Sequence, residues 1–147
     1  MSKVMIKISA KQTINGEDDG MEFITEGEYS FAPERSTLSY TESAITGMEG
    51  TETTFSIEQD TVTLTREGSV TSQMLFRRGA KHVFLYTTPY GATTLGVTTK
   101  RLDIDAKASG GRMDIDYALD ADNIKLGDNS FTIEFSESSK ANRKEMI

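Results

Sequence analysis

Cysteine is absent from the 147 residues and histidine occurs once, at His82. The first absence removes disulfides, thiol catalysis and thiolate-bound metals together. The second removes any site that needs two imidazoles. Helical periodicity is missing as well, because no window repeats apolar residues at i, i+3, i+4 and i+7. No stretch approaches the ~20 apolar residues of a spanning helix. None resembles the ~7–15-residue apolar core of a secretory signal. A cytoplasmic protein with no membrane association is therefore expected. Cations are in the minority, 16 Lys and Arg against 23 Asp and Glu, and the net charge is −7. That balance argues against DNA as a partner for the whole surface.

What is present is an alternation of period two. Val4, Ile6 and Ile8 alternate with Lys3, Lys7 and Ser9. Phe55 and Ile57 lead into Val62 and Leu64, the latter interleaved with Thr61, Thr63 and Thr65. Met113, Ile115, Tyr117 and Leu119 alternate with Arg112, Asp114 and Asp116, and Phe131, Ile133 and Phe135 follow the same rule. Strands with one buried and one wet face read this way. With 36% apolar and 27% charged residues, the chain has enough apolar side chains for one packed domain.

Turn residues break the pattern at short intervals, at 15–20, 32–35, 47–50, 59–60, 67–69, 78–80, 89–91, 106–111 and 123–129. About ten strands remain, near 3–14, 21–31, 36–46, 51–58, 61–67, 70–78, 80–88, 92–105, 112–120 and 130–136. Short connections make sequence neighbours antiparallel neighbours in space. An open sheet of that width leaves two bare edges, so the all-β expectation is a single antiparallel up-and-down barrel over residues 1–136. A two-sheet β-sandwich is the alternative. Residues 137–147 read as a polar tail. Within 92–105 the apolar face shifts from odd positions (Leu95, Val97) to even ones (Leu102, Ile104). Only an inserted residue changes that phase, which predicts a β-bulge at Lys100-Arg101.

Three blocks, Thr46-Gly47-Met48-Glu49-Gly50-Thr51, Gly68-Ser69-Val70-Thr71-Ser72-Gln73-Met74-Leu75-Phe76 and Thr87-Thr88-Pro89-Tyr90-Gly91, resemble the YwiB-like family of small bacterial proteins. Leu95 to Leu102 and Met113 to Leu119 resemble its later blocks, in the same order. The resemblance implies a calycin-type, lipocalin-like barrel. It implies no activity, because the family is one of unknown function, and function has to come from a site.

Four constellations bear on that site. A catalytic His82 needs a nucleophile and an orienting carboxylate, and no Gly-x-Ser-x-Gly elbow is present. The acidic stretch Asp103, Asp105, Asp114, Asp116, Asp120 and Asp122 fails the calcium-loop pattern, since Ile124 occupies the third ligand position. Gly47-Met48-Glu49-Gly50 lacks the spacing of a phosphate-binding loop, and its glycines suit a tight turn. No cofactor, metal or catalytic residue is expected on these grounds.

The fourth is basic. Arg77, Arg78, Lys81 and His82 flank a turn at Gly79-Ala80, and a reversal at Pro89-Tyr90-Gly91 brings Lys100 back opposite Ala80, with Arg101 beside it. No acid occurs between Glu67 and Asp103. These six residues are the expected ligand-binding set at one barrel end, and arginine forks suit carboxylate or phosphate. The leading expectation is a non-catalytic binder of a small anionic ligand. An interaction module for RNA or an acidic protein through the same patch is the alternative, and an enzyme of unidentified activity is the third possibility.

Overall fold

The computed structural model describes residues 2–137. Their alternation resolves into ten strands: β1 Ser2–Ile14, β2 Glu17–Ser30, β3 Ser36–Thr41, β4 Glu52–Ile57, β5 Val62–Glu67, β6 Ser72–Phe76, β7 Lys81–Thr88, β8 Gly91–Lys107, β9 Gly110–Ala121 and β10 Ile124–Glu137. Among the described residues the one helical element is a single 3-10 turn, Ala44–Thr46. The strands form one sheet in the order β6-β5-β4-β3-β2-β1-β10-β9-β8-β7, with every pairing antiparallel.

Pairing of β1 with β10 rolls the ribbon up and leaves β6 and β7 as its two edges. The edges meet at one rung, and a second contact lies at the turn that joins them. Thr71 and Thr87 exchange backbone hydrogen bonds of 2.9 Å, and the 77–80 turn is held to β8 by Gly79 N–H to the Thr99 carbonyl at 2.9 Å. The result is a nearly closed barrel of the expected calycin type, with a seam between β6 and β7, and not a sandwich. Closure removes most of the unpaired edge that an open sheet exposes.

Tight turns explain why several strands run longer than the turn signals suggested. Asn15 and Gly16 have φ of 52° and 78°, and Asp122 and Asn123 have φ of 50° and 65°. Two consecutive left-handed residues make the two-residue hairpin turn whose twist matches its strands. The polar stretches 17–20 and 124–129, expected as connections, are therefore strand. In the other direction, β3 stops at Thr41 and residues 42–51 form a loop instead of extending the strand to 46. The predicted bulge is present: Thr99 pairs Tyr117 and Arg101 pairs Asp116, leaving Lys100 as the extra residue. A second irregularity lies at Leu126 in β10, within the stretch expected as a connection. Of the expected tail, Glu137 closes β10 opposite Val4, and the remainder lies outside the described residues.

The inward faces form a continuous core in which Val4, Ile6, Leu38, Leu64, Phe76, Val97, Met113, Ile115 and Ile133 are completely buried. Outside, the wet faces pair charges across strands. Asp114 receives Arg112 Nε at 3.0 Å and Thr132 Oγ1 at 2.8 Å. The Arg112 hydrogen bond holds the Asp114 carboxyl below the usual carboxylate range, and Thr132 adds to it. A carboxyl whose folded pKa is depressed stabilises the fold above about pH 4 and loses that contribution as pH falls through its folded value. An Asp114→Asn protein should therefore show a flatter loss of thermal stability below about pH 4 than the wild type. Parallel acid limbs in the two melting profiles would assign the acid sensitivity elsewhere.

Candidate ligand-binding cavity

Near one end of the barrel the apolar inward positions run out and polar residues continue their parity. On β5, Val62 and Leu64 are fully buried, and the next inward residue is Arg66. On β10 the face of Ile133 and Phe131 continues to Asn129. On β4 the face of Phe55 continues to Thr53, which is completely buried. Beyond β3, the face of Leu38 and Tyr40 continues to Glu42, whose side chain has no exposed surface. Period two thus delivers four polar groups to the interior, three from strands and Glu42 from just beyond the end of β3.

These groups surround or back a cavity of about 730 Å³. Its walls are mostly apolar, with Met74, Phe84, Tyr86, Leu95 and Leu119 among them, and Arg66 is its one cation among the described residues. Such a volume and lining match a small-molecule site. The rim is made of the 46–49 loop, Ser69-Val70 and Thr88-Pro89-Tyr90, and it is stitched together. Ser69 Oγ donates to the Glu49 carbonyl at 2.8 Å, and Thr51 Oγ1 accepts from Val70 N–H at 3.1 Å.

The arginine is held from behind. Its Nε lies 3.9 Å from Glu42 Oε2, and the arginine side chain keeps 13% of its surface exposed. Glu42 itself is fixed by two hydroxyls: Thr53 donates to Oε2, and Thr46 donates to Oε1 at 2.9 Å. At 3.9 Å the pair is a coulombic contact and not a hydrogen bond, so Arg66 Nε is buried without an acceptor. Asn129 Nδ2 is likewise unpaired. Burial, with the Glu42 charge next, drives the Tyr40 phenol pKa well above its normal value. Burial pushes Tyr117 up to about 12, against the pull of Arg66, so its hydroxyl stays a protonated donor at neutral pH. The cavity therefore offers donors from Arg66, Asn129 and Tyr117 inside an apolar shell. A buried donor left unmade costs free energy that an arriving acceptor recovers.

The six residues expected from the sequence are near one another but point elsewhere. The β7–β8 turn holds two residues, Pro89 and Tyr90, so Thr88 pairs Gly91 and Lys81 pairs Thr98. Ala80 accordingly meets Thr99 and not Lys100. Lys81 turns outward to Asp120 at 3.1 Å, and Lys100 to Asp128 at 2.8 Å, so the bulge does not turn its lysine inward. Arg78 and Arg101 share Asp103, at 3.5 Å and 2.6 Å, while Arg77 faces Asp60 at 3.7 Å. Each of the five cations has a carboxylate partner, and none lines the main cavity. His82 lies on the inward parity of β7, and its buried Nδ1 has no hydrogen-bond partner.

A family model described as a domain of unknown function, DUF1934, matches residues 6–133. The chain belongs to that family. No curated protein matches it. Among solved structures, this DUF1934 chain is similar to the YwiB protein from Bacillus subtilis, at 22% identity over 92% of each chain with a TM-score of 0.83. That likeness establishes the fold. The motifs that carried the family resemblance converge on the cavity. Met48, Ser69, Met74, Tyr90, Leu95 and Leu119 all come from them and all line it. Arg66 lies outside those blocks, and sequence reasoning missed it. Its signal was present in the parity of Val62 and Leu64, four and two residues earlier.

Proposed function

We propose that this DUF1934 barrel is a non-catalytic binder of a small anionic ligand, held in the barrel cavity with its acidic group on Arg66. The observation that carries this is an arginine, Arg66, with a buried and unsatisfied Nε, on the wall of a cavity of about 730 Å³. The cluster at 77–82 and 100–101 supports the anionic class less well, because its cations already face carboxylates. Surface pairs of that kind contribute little and exchange with solvent. Among the described lining residues no nucleophile is paired with a base, which favours binding over catalysis.

The test is a fluorescence titration with anilinonaphthalenesulfonate, an aromatic monoanion. It compares wild type, Arg66→Gln, and an Arg78→Gln, Lys100→Gln double variant, each first shown to melt cooperatively. A charge-assisted hydrogen bond is worth ~1.5–3 kcal/mol, so Arg66→Gln should weaken binding about tenfold or more. The double variant should bind within about twofold of wild type. The reverse ranking would return the site to the surface cluster, and an absence of binding by wild type would contradict the reading.

A further inference from the structure

We infer that Glu42 makes the cavity selective for singly charged ligands, so that the occupant is a monoanion such as a carboxylate or sulfate ester and not a dianionic phosphate monoester. This rests on the cavity reading above and adds to it the residue behind Arg66. Glu42 Oε2 is 3.9 Å from Arg66 Nε, and the Glu42 side chain is completely buried. It does not line the cavity, so it shapes binding through Arg66 and through its field. Because Thr46 and Thr53 both donate to it, the carboxylate is pinned in place and does not swing away when a second anion arrives.

Charge counting follows from that geometry. Arg66 is the one cation among the described lining residues, and Glu42 leaves the pair formally neutral; the rim adds a further acid, Glu49. A monoanion places its charge on the free face of the guanidinium, whose planar fork serves two acceptors at once. A dianion brings a second charge that must also leave water and has no cation of its own. Attraction to Arg66 and repulsion from Glu42 both double for a dianion, so the neutral pair gives the second charge little net return for leaving water. One additional unit charge several Å from Glu42, at an effective protein dielectric of ~20, corresponds to about tenfold or more in affinity.

Naphthyl sulfate and naphthyl phosphate share one aromatic body and a tetrahedral head. Near pH 8 the first carries a single charge and the second about two, since its second pKa is ≈ 6. Each is titrated against anilinonaphthalenesulfonate bound to wild type and to Glu42→Gln. Wild type should bind the sulfate at least about tenfold more tightly than the phosphate. Glu42→Gln, which keeps the size and one acceptor, should narrow that ratio by about tenfold, mainly by improving the phosphate. The wild-type ratio stands as a test by itself should the variant not fold. Equal or tighter phosphate binding by wild type, or an unchanged ratio in a folded Glu42→Gln protein, overturns the selectivity and leaves the Arg66 site intact. Failure of both compounds and the fluorophore to bind overturns both.

Discussion

Truncating Phe76 to alanine should destabilise the barrel by ~3–5 kcal/mol, the range for a fully buried phenylalanine. Phe76 has no exposed surface and ends β6 opposite Val62, on the seam edge. Its ring packs on Tyr117 at a centroid distance of 5.0 Å, and Tyr117 packs on Phe131 at 5.5 Å. The aromatic stack therefore ties the seam-edge strand β6 to β9 and β10 through the barrel interior. Losing it removes buried area and a side-chain contact between β6 and β9. For a domain of this size the melting temperature should fall by ~2–4 °C per kcal/mol, about 10 °C in all. Leu85→Ala is the control, since Leu85 is on the outward face of β7 and 56% exposed. It should change stability by no more than ~0.5 kcal/mol. Similar losses for the two variants would mean that the parity across the seam is misassigned.

A comparable effect is expected from one backbone position next to the cavity rim. Gly68 has φ of 140°, and a Cβ built there would lie 2.1 Å from the Gly50 carbonyl oxygen and 2.8 Å from Thr51 Cα. Both contacts are with backbone, so no side-chain rotation relieves them. Gly68→Ala combines an unfavourable φ with overpacking, each costing ~1–3 kcal/mol, for a total of about 2–6 kcal/mol. Relief requires the 50–51 segment to move away from 68–70, which breaks the Thr51 bond to Val70 and loosens the rim. Binding of anilinonaphthalenesulfonate should weaken together with stability. Gly79, at φ 78° with open space where a Cβ would stand, isolates the φ cost alone. Its alanine variant should lose only ~1–2 kcal/mol in urea unfolding. Equal losses at Gly68 and Gly79 would show that the close approach carries no energy.

The fold was largely legible in the sequence because its strands are half-buried, and a half-buried strand writes its orientation into every second residue. Parity placed Met113, Ile115, Tyr117 and Leu119 on one face, and the phase change located the bulge at Lys100. The site was less legible, for two physical reasons. A two-residue turn where three residues were expected shifts the β7–β8 register by one, which changes which residues meet near Lys100. Charge counted along the chain also misses charge from neighbouring strands. The acid-free stretch between Glu67 and Asp103 is neutralised by Asp60, Asp120 and Asp128, which arrive from a turn and from β9 and β10. Arg66 is easily overlooked because arginines near strand ends are usually wet. The same parity that buried Val62 and Leu64 put it inside.

Arg66 is the residue proposed to receive the ligand, and its side-chain Nε–H is the most direct reporter. Proton–nitrogen spectra of the arginine Nε–H groups would be recorded during titration with anilinonaphthalenesulfonate, with the Arg66 signal assigned from its loss in Arg66→Gln. Binding in the cavity predicts that the Arg66 resonance shifts and becomes protected from solvent exchange at saturation. The signals of Arg78 and Arg101, already engaged with Asp103, should stay in place. A stationary Arg66 signal with movement of Arg78 or Arg101 would contradict the account.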